Sequence, residues 1–169
     1  TVDDSQIFNR ITVYGRNVQG ELVTETFTTN ASGNEHIFEL DNYPHSLTSV
    51  TATFRTSPTT TQEVTYTGVW LGYDPANVLY GETGAAERVR YVVCNRERKA
   101  VRIRNAAGYP AASTTVTITY YKVRRISVTV NDTGLQASHG RVLEAQIYNE
   151  HIGNDDDATI YGQALIKAW

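Results

Sequence analysis

Seven of the fifteen Lys and Arg residues of this 169-residue chain fall in RVRYVVCNRERKAVRIR, positions 88–104, although acidic residues outnumber basic ones overall. Arg88, Arg90, Arg96, Arg98, Arg102 and Arg104 make this the segment richest in directed chemistry. The planar guanidinium fork binds carboxylates and phosphates alike, two oxygens at a time. Val89, Tyr91 and Val93 alternate with Arg88 and Arg90, and Val101 and Ile103 alternate with Arg102 and Arg104. Asn95–Lys99 between them reads as a polar turn, so the stretch is expected to form a hairpin. A turn centred near Glu97 sets Arg90 across from Arg104, both on the face away from the apolar residues. Like charges directly opposed destabilise a strand pair, so the pattern calls for acceptors on a neighbour. Three are open: the phosphates of a nucleic acid, the acidic strands of the same fold, or a second copy or another protein. The acidic total and the lack of any accompanying nucleic-acid motif make nucleic acid the weakest of the three.

The charge is segregated along the chain. Residues 1–80 carry a net −6, residues 81–125 a net +7 and residues 126–169 a net −4. Patches of opposite sign set register and orientation in assemblies, which favours docking of the basic segment on an acidic one. Asp155, Asp156 and Asp157 are the densest acidic counterpart; the terminal Trp169 either tucks into its own fold, the commoner outcome, or serves as an anchor on a neighbour, since Trp is favoured at interface hot spots.

Catalytic and metal-binding patterns are thin. His36, His45, His139 and His151 are scattered without metal-ligand spacing, and no HExxH, CxxC, GxSxG or P-loop occurs. Glu150-His151 with Asp155–Asp157 resembles a cation loop only loosely, because the order and distal Glu of an EF-hand are missing. Paired carboxylates for glycoside hydrolysis stay open, since partners can come from distant strands. Eleven Tyr and two Trp raise a sugar-binding platform, but most of these Tyr alternate with Val, Thr or Ile inside strands, where packing explains them. Cys94 is the single cysteine, so no internal disulfide forms, and its apolar setting reads as a buried structural thiol. No metal, cofactor or catalytic residue is assigned.

Composition places the chain among ordinary globular proteins, with 40% hydrophobic and 20% charged residues. No apolar run approaches the roughly 18–20 residues that cross a bilayer, so no membrane partner is expected. The opening TVDDSQIFNR lacks the basic and apolar regions of a signal peptide, and the absence of Met is expected either from removal of a start Met before Thr1 or from trimming of a longer precursor. Thr, Val and Tyr recur with period two, predicting strands over 11–14, 21–28, 36–40, 47–55, 63–71, 88–94, 100–104, 113–123, 126–130, 141–148 and 159–167. Turn chemistry fills the gaps, as in NVQG, NASGN, NDTG and GNDDD, and SPTTTQ reads as a hairpin tip. Between Ser138 and His151 a short helix competes with a strand, and the alternation of Leu143, Ala145 and Ile147 favours the strand. The expected fold is all-β, an antiparallel sandwich or jelly-roll-like arrangement with little or no helix, in a single β domain over residues 1–169.

Residues 10–54 add a resemblance. A strand ending in Gly (Ile11–Gly15), a loop with a second Gly (Gly20), a strand carrying Thr24-Glu25-Thr26 and the segment Ser46–Ala52 together resemble a pattern in structural proteins of tailed bacteriophage particles. Gly15 and Gly20 would bracket a hairpin turn, with the Thr24–Thr26 stretch alternating on an exposed face. The resemblance implies a non-enzymatic virion protein, made in the host cytoplasm without a cofactor. The resemblance leaves the virion part open between capsid decoration, head–tail joining and tail; the expected role is capsid-associated, as a decoration, cement or minor capsid protein, with other copies of itself or a major capsid or tail protein as partners. The reading from a different class is a carbohydrate-binding, lectin-like β-sandwich. An undetected hydrolase stands third.

Overall fold

Among the described residues, period-two burial follows the Thr-, Val- and Tyr-rich runs and builds nine strands, to which two α-helices and a single 3-10 turn at Gly68–Trp70 are added. The computed structural model describes residues 8–73 and 91–168. In chain order the elements are β1 (Arg10–Thr28), β2 (Ile37–Glu39), β3 (Pro44–Ser57), β4 (Thr60–Tyr66), β5 (Leu71–Tyr73), β6 (Val92–Asn95), β7 (Ala100–Ile103), β8 (Thr115–Asn131), α1 (Thr133–His139), β9 (Glu144–Tyr148) and α2 (Asp155–Ala168). They form a five-stranded sheet in the order β4-β3-β8-β1-β9 and a four-stranded sheet in the order β2-β7-β6-β5. The all-β, sandwich-like expectation holds. Within the 1–169 span two compact units separate: residues 1–18 with 124–169, and residues 19–123.

In the unit of residues 19–123, inward side chains from both sheets meet in one core. Val50, Ala52 and Phe54 of β3 and Val116, Ile118 and Tyr120 of β8 lie with Val92, Cys94, Val101 and Ile103 of the second sheet, all fully buried. β3 and β4 form the expected hairpin, with Ser57 paired to Thr60 around a Pro58-Thr59 tip. Cys94 is buried here, and loss of water pushes its thiol up to about 12, as a structural thiol requires. Glu25, centre of the Thr-Glu-Thr stretch, turns to the same side of β1 as the core-packed Val23 and Phe27. It accepts a hydrogen bond from the Tyr120 hydroxyl and receives the Asp41 N–H at 3.1 Å. Thr24 and Thr26 stay exposed.

In the unit of residues 1–18 with 124–169, the first part of β1, the last part of β8 and β9 form a sheet whose apolar side carries the helices. Ile11, Val13 and Ile126 pack with Ile152, Ala158 and Ile166. β1 and β8 run antiparallel here, as the Thr12–Thr129 and Arg10–Asn131 side-chain bonds show, and β9 lies parallel to β1.

Several local expectations are corrected. NVQG is not a turn: β1 continues unbroken from Arg10 to Thr28. Gly15 is required for close approach instead, since a Cβ there would stand 2.5 Å from the Ile152 carbonyl oxygen and 2.8 Å from Ile126 Cβ. The runs 113–123 and 126–130 likewise join into one strand, β8. Residues 159–167 are helical, not extended. Asn154 caps α2, its Oδ1 accepting the Asp157 N–H at 2.7 Å while its Nδ2 donates back to Asp157 at 2.8 Å. The buried Ala158, Gly162 and Ile166 follow one another at spacing four, a helical stripe that overrides the β preference of Thr159, Ile160 and Tyr161. The expected NDTG turn is the start of α1, where Asp132 accepts the Leu135 N–H at 2.9 Å and Gly140 closes the helix in the left-handed region. β9 confirms the strand favoured after Ser138, but over 144–148 only.

Candidate interaction surfaces

The basic segment does form a hairpin. Asn95 pairs with Ala100, which leaves Arg96–Lys99 as a four-residue turn with Lys99 in the left-handed region. Asn95 Oδ1 fixes it by accepting the Arg98 N–H at 2.9 Å. Arg88 and Arg90 lie outside the described residues. The register is one step from the expected one: the Arg104 N–H donates to the Tyr91 oxygen at 2.9 Å, so Tyr91, not Arg90, stands opposite Arg104. The apolar face is shifted as well. Val92 and Cys94 enter the core, whereas Val93 pairs with Arg102.

The arginines therefore occupy three environments rather than one open face. Arg102 is buried, at 5% exposure, and a guanidinium leaves water only where polar groups receive it. Arg104 is half-buried and lines a cleft of about 430 Å³ with Tyr91 and the tight Asn105–Gly108 turn. Arg96 and Arg98 are exposed at the tip. Arg96 lies over the Tyr73 ring at 4.0 Å, close enough for a cation–π contact that holds its direction. Lys99 approaches Glu39 at 4.0 Å and the Asp41 carbonyl at 3.5 Å, so part of the basic charge is met within its own fold.

Asp155, Asp156 and Asp157 form the first turn of α2, where the helix dipole favours negative charge. Asp155 receives Arg124 Nη1 at 3.1 and 3.2 Å, and Asp157 is engaged by the Asn154 cap. Asp156 points from an exposed position beside them. Trp169 lies outside the described residues.

A third surface has no local signature in the sequence. On the face of the β8-β1-β9 sheet away from the helices, Tyr14 stacks on Tyr148 with ring centres 4.9 Å apart, and the Arg125 guanidinium lies 5.6 and 5.3 Å from the two rings. The signal was present but divided. Tyr14 and Tyr148 are 134 positions apart in the chain and meet only because β9 pairs parallel to β1 with Tyr14 opposite Tyr148. Beside them Gly15, Arg16, Asn17, Arg125 and Glu150 line a cleft of about 310 Å³.

Two other exposed aromatics, Trp70 and Tyr109, stack on neighbouring rings. Trp70 lies parallel to Tyr91 at 5.1 Å, and Tyr109 on His36 at 4.1 Å, so each ring gives one face to a neighbour. Among the described residues no group of three or more His, Cys, Asp or Glu could hold a metal ion, and no helix is long and apolar enough to cross a membrane. The chemistry these surfaces offer is charge pairing, stacking and backbone pairing.

Comparison with protein-family models, with curated proteins and with solved structures finds no match to this chain.

Proposed function

We propose that this chain is a non-enzymatic structural protein of a bacteriophage particle, capsid-associated as a decoration, cement or minor capsid protein, that assembles through complementary charged surfaces. The observation that carries the reading is that opposite charges stand exposed at two element ends: Arg96 and Arg98 at the β6–β7 tip, and Asp156 within the acidic first turn of α2. Exposed charges of this kind contribute little to a fold by themselves, but they steer and register an encounter between molecules. The resemblance over residues 10–54, which falls on β1 through β3, supports the setting.

The test is solution mass by light scattering at low and high salt, with a charge-reversal cycle. Wild-type protein is expected to form an oligomer that loosens as salt rises, because exposed ion pairs are screened. Arg96→Glu with Arg98→Glu should lower the mass at low salt, Asp156→Lys should do the same, and the combined variant should recover it. A wild-type chain that stays monomeric at every salt concentration, indifferent to these changes, overturns self-assembly by these surfaces. Soluble glycan binding would then be measured for the lectin-like reading.

A further inference from the structure

β9 ends the five-stranded sheet, so among the described residues no strand pairs with one of its two edges. The pairing with β1 fixes which backbone groups face that edge. Arg10 N–H donates to the Leu143 oxygen at 3.1 Å and Asn149 N–H donates to the Tyr14 oxygen at 2.9 Å. In a parallel ladder this pattern turns the odd-numbered residues of 143–149 toward β1. Glu144, Gln146 and Tyr148 therefore carry their N–H and C=O groups to the open side. No described residue bonds to them there. An edge of this type is commonly blunted by charged side chains, Pro or a bulge; Glu-Ala-Gln-Ile-Tyr carries a single charge, Glu144, at its start, contains no Pro and pairs with β1 without a register shift.

We infer that the β9 edge pairs antiparallel with β9 of a second copy of this chain, centred on Gln146. The argument for a second copy is that the row is self-complementary under a two-fold axis. Antiparallel pairing about Gln146 sets Glu144 opposite Tyr148 of the other copy, and Gln146 opposite Gln146. A carboxylate then meets a phenol hydroxyl whose own contact within its chain, Gln146 Oε1 at 3.5 Å, is long. An amide meets an amide, which donates and accepts equally. All three residues are exposed, Tyr148 at 62%, and all three present outward backbone groups, so each opposed pair is of the hydrogen-bonded type. The Tyr14–Tyr148 stack, whose Tyr148 ring is exposed, with Arg125 over it, would extend across the junction toward Glu144 of the second copy and its Arg10. An isologous contact of this kind closes on itself and yields a dimer.

The inference deepens the assembly reading and rests on it only for its biological setting. The two contacts separate experimentally, since backbone pairing resists salt whereas the charged-surface contact does not. The experiment is disulfide trapping in the full chain. Opposed residues of a hydrogen-bonded antiparallel pair have Cα atoms about 5.5 Å apart, within disulfide reach. Under mild oxidation at high salt, Gln146→Cys should convert almost wholly to a covalent dimer. Glu144→Cys and Tyr148→Cys should each stay monomeric alone, yet cross-link when mixed. Native Cys94, buried in the core, supplies the wild-type background. Gln146→Pro, which removes an outward N–H that β1 does not use, should halve the high-salt mass with unchanged far-UV circular dichroism. A Gln146→Cys protein that stays monomeric, or equal trapping at all three positions, overturns the inference while leaving the salt-dependent contact to its own test.

Discussion

The two units reach burial by different means. Residues 19–123 fill the space between two sheets with large side chains: Phe54, Tyr120, Ile103 and Ile118 have essentially no exposure. Residues 1–18 with 124–169 bring helices and loop against a sheet through small residues. A Cβ on Gly162 would lie 2.8 Å from Val130 Cγ2, one on Gly153 would lie 2.7 Å from Arg16 Nη2, and Gly15 admits the Ile152 carbonyl. The first unit should suffer most from removing atoms, the second from adding them.

The largest expected effect is therefore Phe54→Ala, which leaves a cavity among β-strand side chains and should cost about 3–5 kcal/mol in denaturant unfolding. The converse, Gly15→Ala, drives a methyl into a backbone oxygen that cannot rotate aside. It should cost about 1–3 kcal/mol, and the same substitution at Gly162, where side-chain methyls can yield, should cost less. If both glycine variants prove neutral, the close-approach account of the smaller unit fails.

Next comes Tyr120→Phe, which deprives the Glu25 carboxylate of its hydroxyl donor and should cost about 1.5–3 kcal/mol. Burial, followed by the bond to Glu25, pushes the Tyr120 phenol up to about 12 from an ordinary 10. The folded state thus holds this proton more tightly than the unfolded one. Its contribution is complete below pH 10 and is lost as pH rises toward 12. Cys94, also raised to about 12 from an ordinary 9, adds a loss that begins near pH 9. Alkaline unfolding of wild type should accordingly be steeper than that of Tyr120→Phe between pH 10 and 12; parallel curves would contradict it. The smallest effect belongs to Arg124→Ala. Its pair with Asp155 is half-exposed, and its removal should cost no more than about 1 kcal/mol, shrinking as salt is added.

Strands were legible where alternation met turn chemistry, as in β3 and the β6–β7 hairpin, whereas the expected strand over 63–71 ends at Tyr66 and gives way to a 3-10 turn at Gly68–Trp70. What misled was glycine and asparagine read as punctuation. Gly15 serves close packing inside a strand, and Asn154 opens a helix instead of a loop. The spacing of Ala158, Gly162 and Ile166 carried the helix in the sequence, but its residues are too small to stand out beside Ile160 and Tyr161. Of the candidate surfaces, the hairpin was visible as a charge run, while the burial of Arg102 was not, because parity set by a one-residue register step decides which side chains face inward. The Tyr14–Tyr148–Arg125 row and the open edge of β9 depend on a parallel pairing between distant segments, and no local pattern announces that.

Light scattering across a salt series tests the central claim most directly. Assembly through complementary charge predicts an oligomer at low salt that falls in mass as salt rises, and a matching fall when Arg96 and Arg98 are reversed to Glu. A mass of one chain throughout, or an oligomer indifferent to both salt and charge reversal, would contradict it.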